Sequence, residues 1–137
     1  MDIRDKAIQL LEKCEDVVLA SVSEDGYPRP CVMSKNRSKG VGSITMSTGF
    51  NGVKTRHFLR DGKAGVSYRE GGNSVTLTGH VTVHTDLQTK KDEWQDWFIE
   101  HFPGGVEDKD YCVLKFEAIE AILWIDGEFV TLSGDQL

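Results

Sequence analysis

From Ser74 to Val83 the chain alternates polar and apolar side chains residue by residue: Ser-Val-Thr-Leu-Thr-Gly-His-Val-Thr-Val. A period of two sets Val75, Leu77, Val81 and Val83 on one face and the hydroxyl-bearing residues on the other, the pattern of a strand with one buried side. Gly79 falls on the apolar face, where a missing side chain marks a bend or bulge, as at a barrel corner. A long one-sided strand needs antiparallel neighbours, and the rest of the sequence supplies short ones.

Asp2 to Cys14 carries Ile3, Ala7, Leu10, Leu11 and Cys14 at helical spacing, with Asp2 as its cap. The β-rich stretch Asp16 to Ser23 turns at Glu24-Asp25-Gly26 into a hairpin partner, Pro28 to Lys35, whose prolines suit a strand start or an edge. Lys39-Gly40 turns into a third strand, Gly42 to Ser47. Gly49-Phe50-Asn51-Gly52 breaks the chain before a short helix, Val53 to Arg60, with Phe58 and Leu59 as anchors. A strand from Lys63 to Tyr68 precedes the alternating run. Asp86 caps a helix reaching about His101, with Leu87, Trp94, Trp97 and Phe98 as buried positions, and Pro103-Gly104-Gly105 ends it. Tyr111 to Ile119, continued by Ala121 to Ile125, turns at Asp126-Gly127 into a last strand, Glu128 to Leu132. About seven strands and three helices without βαβ alternation predict a mainly antiparallel β barrel with peripheral helices. With 137 residues and no linker, residues 1–137 are expected to form a single domain.

Charge is unevenly placed. Between Arg29 and Arg69 lie nine basic residues and one acid, a local net charge of +8 in a chain of net charge −6. The acidic remainder would repel a polyanion, so a local anion site is expected rather than general nucleic-acid binding. No apolar run approaches the ~20 residues of a membrane helix, and the start Met1-Asp2-Ile3-Arg4-Asp5-Lys6 lacks a signal-peptide core. Cys14, Cys31 and Cys112 are odd in number and never spaced Cys-x-x-Cys, as expected of a reducing cytoplasm.

The strongest candidate for chemistry lies inside the basic segment. Ser47-Thr48-Gly49-Phe50-Asn51-Gly52-Val53-Lys54 runs from a strand end through a Gly-rich loop into a helix. A helix N-terminus offers free backbone N–H groups and a positive dipole end, both suited to phosphate. Ser47 and Thr48 add hydroxyls, and Lys54 adds a charge. The spelling lacks the Gly-Lys pair and spacer of a nucleotide P-loop, and an ordinary helix start reads the same way. One strand upstream, Arg29 and Lys35 are placed to share an anion site. Alternation groups Arg29, Cys31, Met33 and Lys35 on one face and Pro30, Val32 and Ser34 on the other. Trp124 can cover a planar ligand or pack a core. His80 and His84 lack a third ligand, so no metal site is expected, and no serine-hydrolase elbow or metalloprotease motif occurs.

In this order the pieces resemble the FMN-binding split-barrel family related to pyridoxamine 5′-phosphate oxidase, especially its small, general stress protein 26-like members. The carriers are Gly26-Tyr27-Pro28-Arg29-Pro30, Met46-Ser47-Thr48 with Lys54, Val75 to Val81 followed by Asp86, and Ala121-Ile122-Leu123-Trp124. The resemblance implies an FMN phosphate held at Ser47, Thr48 and Lys54. It places Arg29, Pro30, Cys31 and Val32 along the flavin and ribityl chain, and Ser74 and Thr76 on a strand facing the cofactor. It further implies a homodimer with FMN at the subunit interface, where Trp124 approaches from the partner.

Departures narrow the reading. The oxidase has a Ser-Arg-Lys run where this chain has Gly52-Val53-Lys54, and Arg56 is the next cation in that helix. It also carries a C-terminal extension with arginines for its substrate, while this sequence stops soon after Val130-Thr131-Leu132. The expectation is therefore a flavoprotein oxidoreductase of unknown substrate, not an authentic pyridoxamine phosphate oxidase. Two rivals are a non-catalytic flavin-binding stress or sensor module and a split barrel holding a deazaflavin or haem. No acid or base is tied to the flavin by sequence.

Overall fold

Both helix starts follow the sequence. In the computed structural model, which describes residues 1–137, Asp2 accepts from the Asp5 N–H and opens α1 (Ile3–Lys13). Asp86 does the same for Thr89 and opens α3 (Leu87–Glu93). Each satisfies an N–H that the first turn cannot pair internally.

The strands are β1 (Asp16–Val22), β2 (Pro28–Ser34), β3 (Arg37–Lys39), β4 (Ser43–Gly49), β5 (Lys63–Glu70), β6 (Asn73–His84), β7 (Tyr111–Ile125) and β8 (Glu128–Ser133), with α2 (Val53–Arg60) between β4 and β5. They form one antiparallel sheet in the order β2-β1-β5-β6-β7-β4-β3, with β8 also paired to β7. Eight strands replace the seven expected. The extra one, β3, has no local apolar pattern and exists by pairing with β4.

Gly79 shows how the sheet curls. The β6–β7 register slips between Thr78, opposite Glu120, and Gly79, opposite Ala118, leaving Ile119 unpaired as a bulge on β7. At this bulge β7 exchanges partners: residues 111–117 pair with β4, and residues 120–125 pair with β8. A side chain on Gly79 would sit 2.1 Å from the Glu117 carbonyl oxygen, so only glycine permits the approach. Asp126 and Gly127, both at positive φ, close the β7–β8 hairpin, as two-residue turns require.

One face of every strand but β3 feeds a core that includes Leu11, Leu19, Ile44, Met46, Leu77, Leu114, Phe116 and Leu123. A smaller cluster of Phe98, Phe102, Tyr111 and Val113 sits under the chain between α3 and β7. There the sequence expectation needs correction. The helix expected to run from Asp86 to His101 stops at Glu93, because Trp94 leaves it with ψ 135°. It lays its ring edge-on against Phe98 and Tyr111, at 5.5 and 5.3 Å. The chain resumes as a 3-10 stretch, Asp96–Glu100, with a second, Gly105–Glu107, before β7. Tertiary packing overrides local helix propensity here. Trp97, Leu87 and Leu59, expected to be buried, are exposed, and Phe58 alone anchors α2 among its two candidates.

No helix is long and apolar enough to cross a membrane.

Candidate functional site

β2 and β3 are the two free ends of the sheet path, so the barrel is split beside β2. A cleft of about 430 Å³ occupies the split. β2 lines it with Val32 and Ser34, and β4 with Ser47 and Thr48. Trp97 and His101 close it from the 3-10 side, and Asp110 lies at its end. A second hollow of about 400 Å³ lies over the outer face of the sheet, lined by Val18, Val32, Ser67, Arg69, Ser74 and Thr76. Val32 lines both, and the two hollows on either side of it make up a trough flanking β2.

The loop before α2 differs from the expected open cradle. Phe50 donates its N–H to the Asp110 carbonyl, Gly52 donates to Gly49, and the Asn51 N–H is held by Asp110 Oδ1 at 2.9 Å. Three amides are thus occupied within the protein. What remains for an anion is the first turn of α2, where Gly52 provides no side-chain cap, and the pair of Lys54 Nζ and Thr48 Oγ1 at 3.3 Å. Lys54 has no carboxylate partner; among the nine basic residues of the segment only Arg37 has one, Glu93. Beneath Thr48, burial pushes the Cys112 thiol up to about 11, so this sulfur stays protonated and unreactive beside the site.

The description that fits residues 3–125 of this chain is that of the pyridoxamine 5′-phosphate oxidase family model. The chain belongs to the pyridoxamine 5′-phosphate oxidase family. Solved structures agree on the fold. A Clostridium acetobutylicum protein related to general stress protein 26 of the pyridoxinephosphate oxidase family is 20% identical, with 99% of each chain covered and a TM-score of 0.86. General Stress Protein 26 from Bacillus anthracis is 18% identical, covering 96% of this chain and 100% of that one, with a TM-score of 0.78. A heme binding protein from Mycobacterium smegmatis is 13% identical, covering 99% of this chain and 60% of that one, with a TM-score of 0.79. No curated protein matches the chain.

In this member of the pyridoxamine 5′-phosphate oxidase family, the residues singled out by sequence fall into four groups. Val32, Ser47 and Thr48 line the cleft, and Lys54 adjoins it through Thr48. Ser74 and Thr76 line the outer hollow. Trp124 stands opposite Ser74 in register and packs on Phe129 at 4.3 Å. Arg29, Pro30 and Cys31 line neither hollow: Cys31 turns inward, its thiol on the Leu19 carbonyl, and Pro30 is exposed opposite Ala20. Lys35, grouped with Arg29 as an anion ligand, instead caps the carbonyls of Leu11 and Glu12 at the end of α1. Sequence reasoning missed Ser34, Trp97, His101 and Asp110. Ser34 shares the alternating face of Val32, but the other three arrive by tertiary packing.

α2 is seated by a buried pair, Ser21 Oγ and His57 Nδ1 at 2.8 Å. Burial first, then the charges of Arg29, Arg56 and Arg60, hold the His57 imidazole below its ordinary value, against Glu24. The folded chain therefore binds fewer protons here than the unfolded chain. The stability contributed by neutral His57 is complete above the unfolded value of about 6.5 and is lost as pH falls through the lowered folded value. Replacing His57 with Gln should flatten the decline of the urea midpoint between pH 7 and pH 5. Parallel profiles for the two proteins would remove His57 as its source.

Proposed function

We propose that this protein is an FMN-binding flavoprotein that uses the flavin in oxidoreduction, with the phosphate held at Ser47, Thr48 and Lys54. The observation that carries this reading is the Lys54–Thr48 pair: an ammonium without a carboxylate, beside a hydroxyl and an uncapped helix start, at the edge of a ligand-sized cleft. Family membership supports the same cofactor. Bound FMN would supply hydride and single-electron transfer. The chain's own part is to anchor the phosphate through Lys54, to line the trough with Val32, Ser74 and Thr76, and to limit water access with Trp97. The free thiols of Cys14, Cys31 and Cys112 suit a reducing cytoplasm. Mass spectrometry of the small molecule released from freshly purified protein tests the cofactor, with FMN expected. Oxidation of NAD(P)H by the loaded protein separates an oxidoreductase from a flavin-storing module.

A second reading, haem, has one observation in its favour. His101 in the cleft has no hydrogen bond or ion pair to its imidazole, so it is the residue that would hold a haem iron. The heme binding protein of like fold supports it too. A Soret band on the purified protein would replace FMN by haem.

The outer sheet face carries Val18, Val32, Ile122, Trp124 and Phe129, all exposed, with Val32 at 71% and Phe129 at 74%. Cross-strand register puts Val32, Val18, Ser67, Thr76 and Ile122 in one row, and Ser74, Trp124 and Phe129 in the next. An apolar face of this kind, continuous with the trough, fits a homodimer that holds the cofactor between subunits. A cofactor bound across the interface strengthens association by linkage. Phe129→Asp should therefore convert a dimer to a monomer in sedimentation at micromolar concentration and weaken FMN with it. A wild-type holoprotein that sediments as a monomer would overturn the dimer.

A further inference from the structure

Phosphate anchoring uses one edge of the cleft and leaves the opposite side idle. Trp97 is 48% exposed, and its indole N–H is already given to Gln95 Oε1 at 2.8 Å. Phe98 and His101 pack edge-on against it at 4.7 and 5.7 Å, holding the ring in place while it lines the cleft. Asp110 spends Oδ1 on the Asn51 N–H and keeps Oδ2 without a donor. The hydroxyl of Ser34, on the facing strand, has no internal hydrogen bond. Among all residues lining the cleft there is no Lys or Arg.

We propose that this cleft selects planar aromatic molecules that carry no anionic group, as the substrate class of the flavoprotein reading on which the proposal rests. Trp97 supplies the stacking surface. Asp110 Oδ2 accepts from a ring N–H or an amino group, and Ser34 and His101 complete the polar rim. With Lys54, Thr48 and Ser47 engaged by the cofactor phosphate, a substrate phosphate would meet the Asp110 carboxylate without a free cation, which disfavours it by charge repulsion. The chemistry of the lining thus separates this chain from an oxidase of phosphorylated pyridoxamine, whatever surrounds its C-terminal end.

The test uses two probes with the same ring, pyridoxamine and pyridoxamine 5′-phosphate, titrated calorimetrically into the purified, FMN-loaded protein. Pyridoxamine should bind at least about tenfold more tightly than its phosphate. Trp97→Ala should weaken pyridoxamine by about tenfold, the scale of one aromatic stack. Ser34→Lys, which adds the missing cation on an exposed strand position, should reverse the preference. Equal or tighter binding of the phosphorylated probe, no binding of pyridoxamine at millimolar concentration, or an unaltered Trp97→Ala variant would overturn the proposal. Failure of the flavin reading shows separately. Absence of FMN uptake overturns the flavin reading whatever the probes do, while FMN uptake without the preference overturns the cleft selectivity alone.

Discussion

Gly79→Ala should destabilise the folded chain by about 3 kcal/mol, the upper end of the cost of overpacking. The added Cβ would meet the Glu117 carbonyl oxygen at 2.1 Å, the Ala118 Cα at 2.8 Å and the Glu117 carbonyl carbon at 2.9 Å. All three are backbone atoms of β7, so no side-chain rotation relieves the contact; the two strands must separate where β7 passes from β4 to β8. Two other glycines set the scale. Gly72 has open space around its missing Cβ and no positive φ, so Gly72→Ala should be close to neutral. Gly71 also has open space but sits at φ +58°, so Gly71→Ala should cost about 1 kcal/mol from backbone conformation alone. Urea unfolding of the three variants reads the differences directly. A Gly79→Ala loss no larger than that of Gly71→Ala would mean the β6–β7 bulge yields easily and does not fix the barrel corner.

Gly79 was legible because its signal is local: a glycine on the apolar face of an alternating strand. The same holds for the capping aspartates Asp2 and Asp86 and for the Asp126-Gly127 turn, where a residue type answers to a backbone need within a few positions. Features set by distant partners were not legible. Arg37 to Lys39 carries no strand pattern, and only pairing with β4 makes it β3. Nothing near Trp94 in sequence announces that Tyr111 will take its ring, so the helix looked continuous. Glu93 reads as a surface acid, yet it is buried, receiving Arg37 at 2.6 Å and Thr45 at 3.0 Å. The same division runs through the site. Ser47, Thr48 and Lys54 lie within eight residues of one another and were found together. Trp97, His101 and Asp110 reach the cleft through the packing of the 3-10 segment on Phe102 and Tyr111, which no spacing rule encodes. Asp110 also narrows the local expectation of an open phosphate cradle, because its carboxylate and carbonyl occupy the loop amides of Asn51 and Phe50.

Lys54→Ala should weaken FMN by about 1.5–3 kcal/mol, the scale of a charge-assisted hydrogen bond. With Phe50, Asn51 and Gly52 amides occupied, the anchoring of a phosphate falls on the side chains of Lys54, Thr48 and Ser47 and on the first turn of α2. The neighbouring cations have other work: Lys35 on α1 carbonyls, Arg37 on Glu93, Arg60 on the Val22 carbonyl and Arg69 on that of Gly71. The side chains of Arg29 and Arg56 have no hydrogen-bond or ion-pair partner, and their charges disfavour protonation of His57. Lys54 is left as the charge beside the Thr48 hydroxyl, and its removal should be felt by the phosphate alone. Riboflavin, which has the same ring and ribityl chain without the phosphate, should bind wild type and Lys54→Ala equally. The FMN advantage should also shrink as salt rises, since an exposed part of the attraction is screened. Flavin-fluorescence titrations of both ligands into both proteins decide the assignment. If riboflavin loses as much affinity as FMN, Lys54 supports the fold of the loop and the phosphate is held elsewhere.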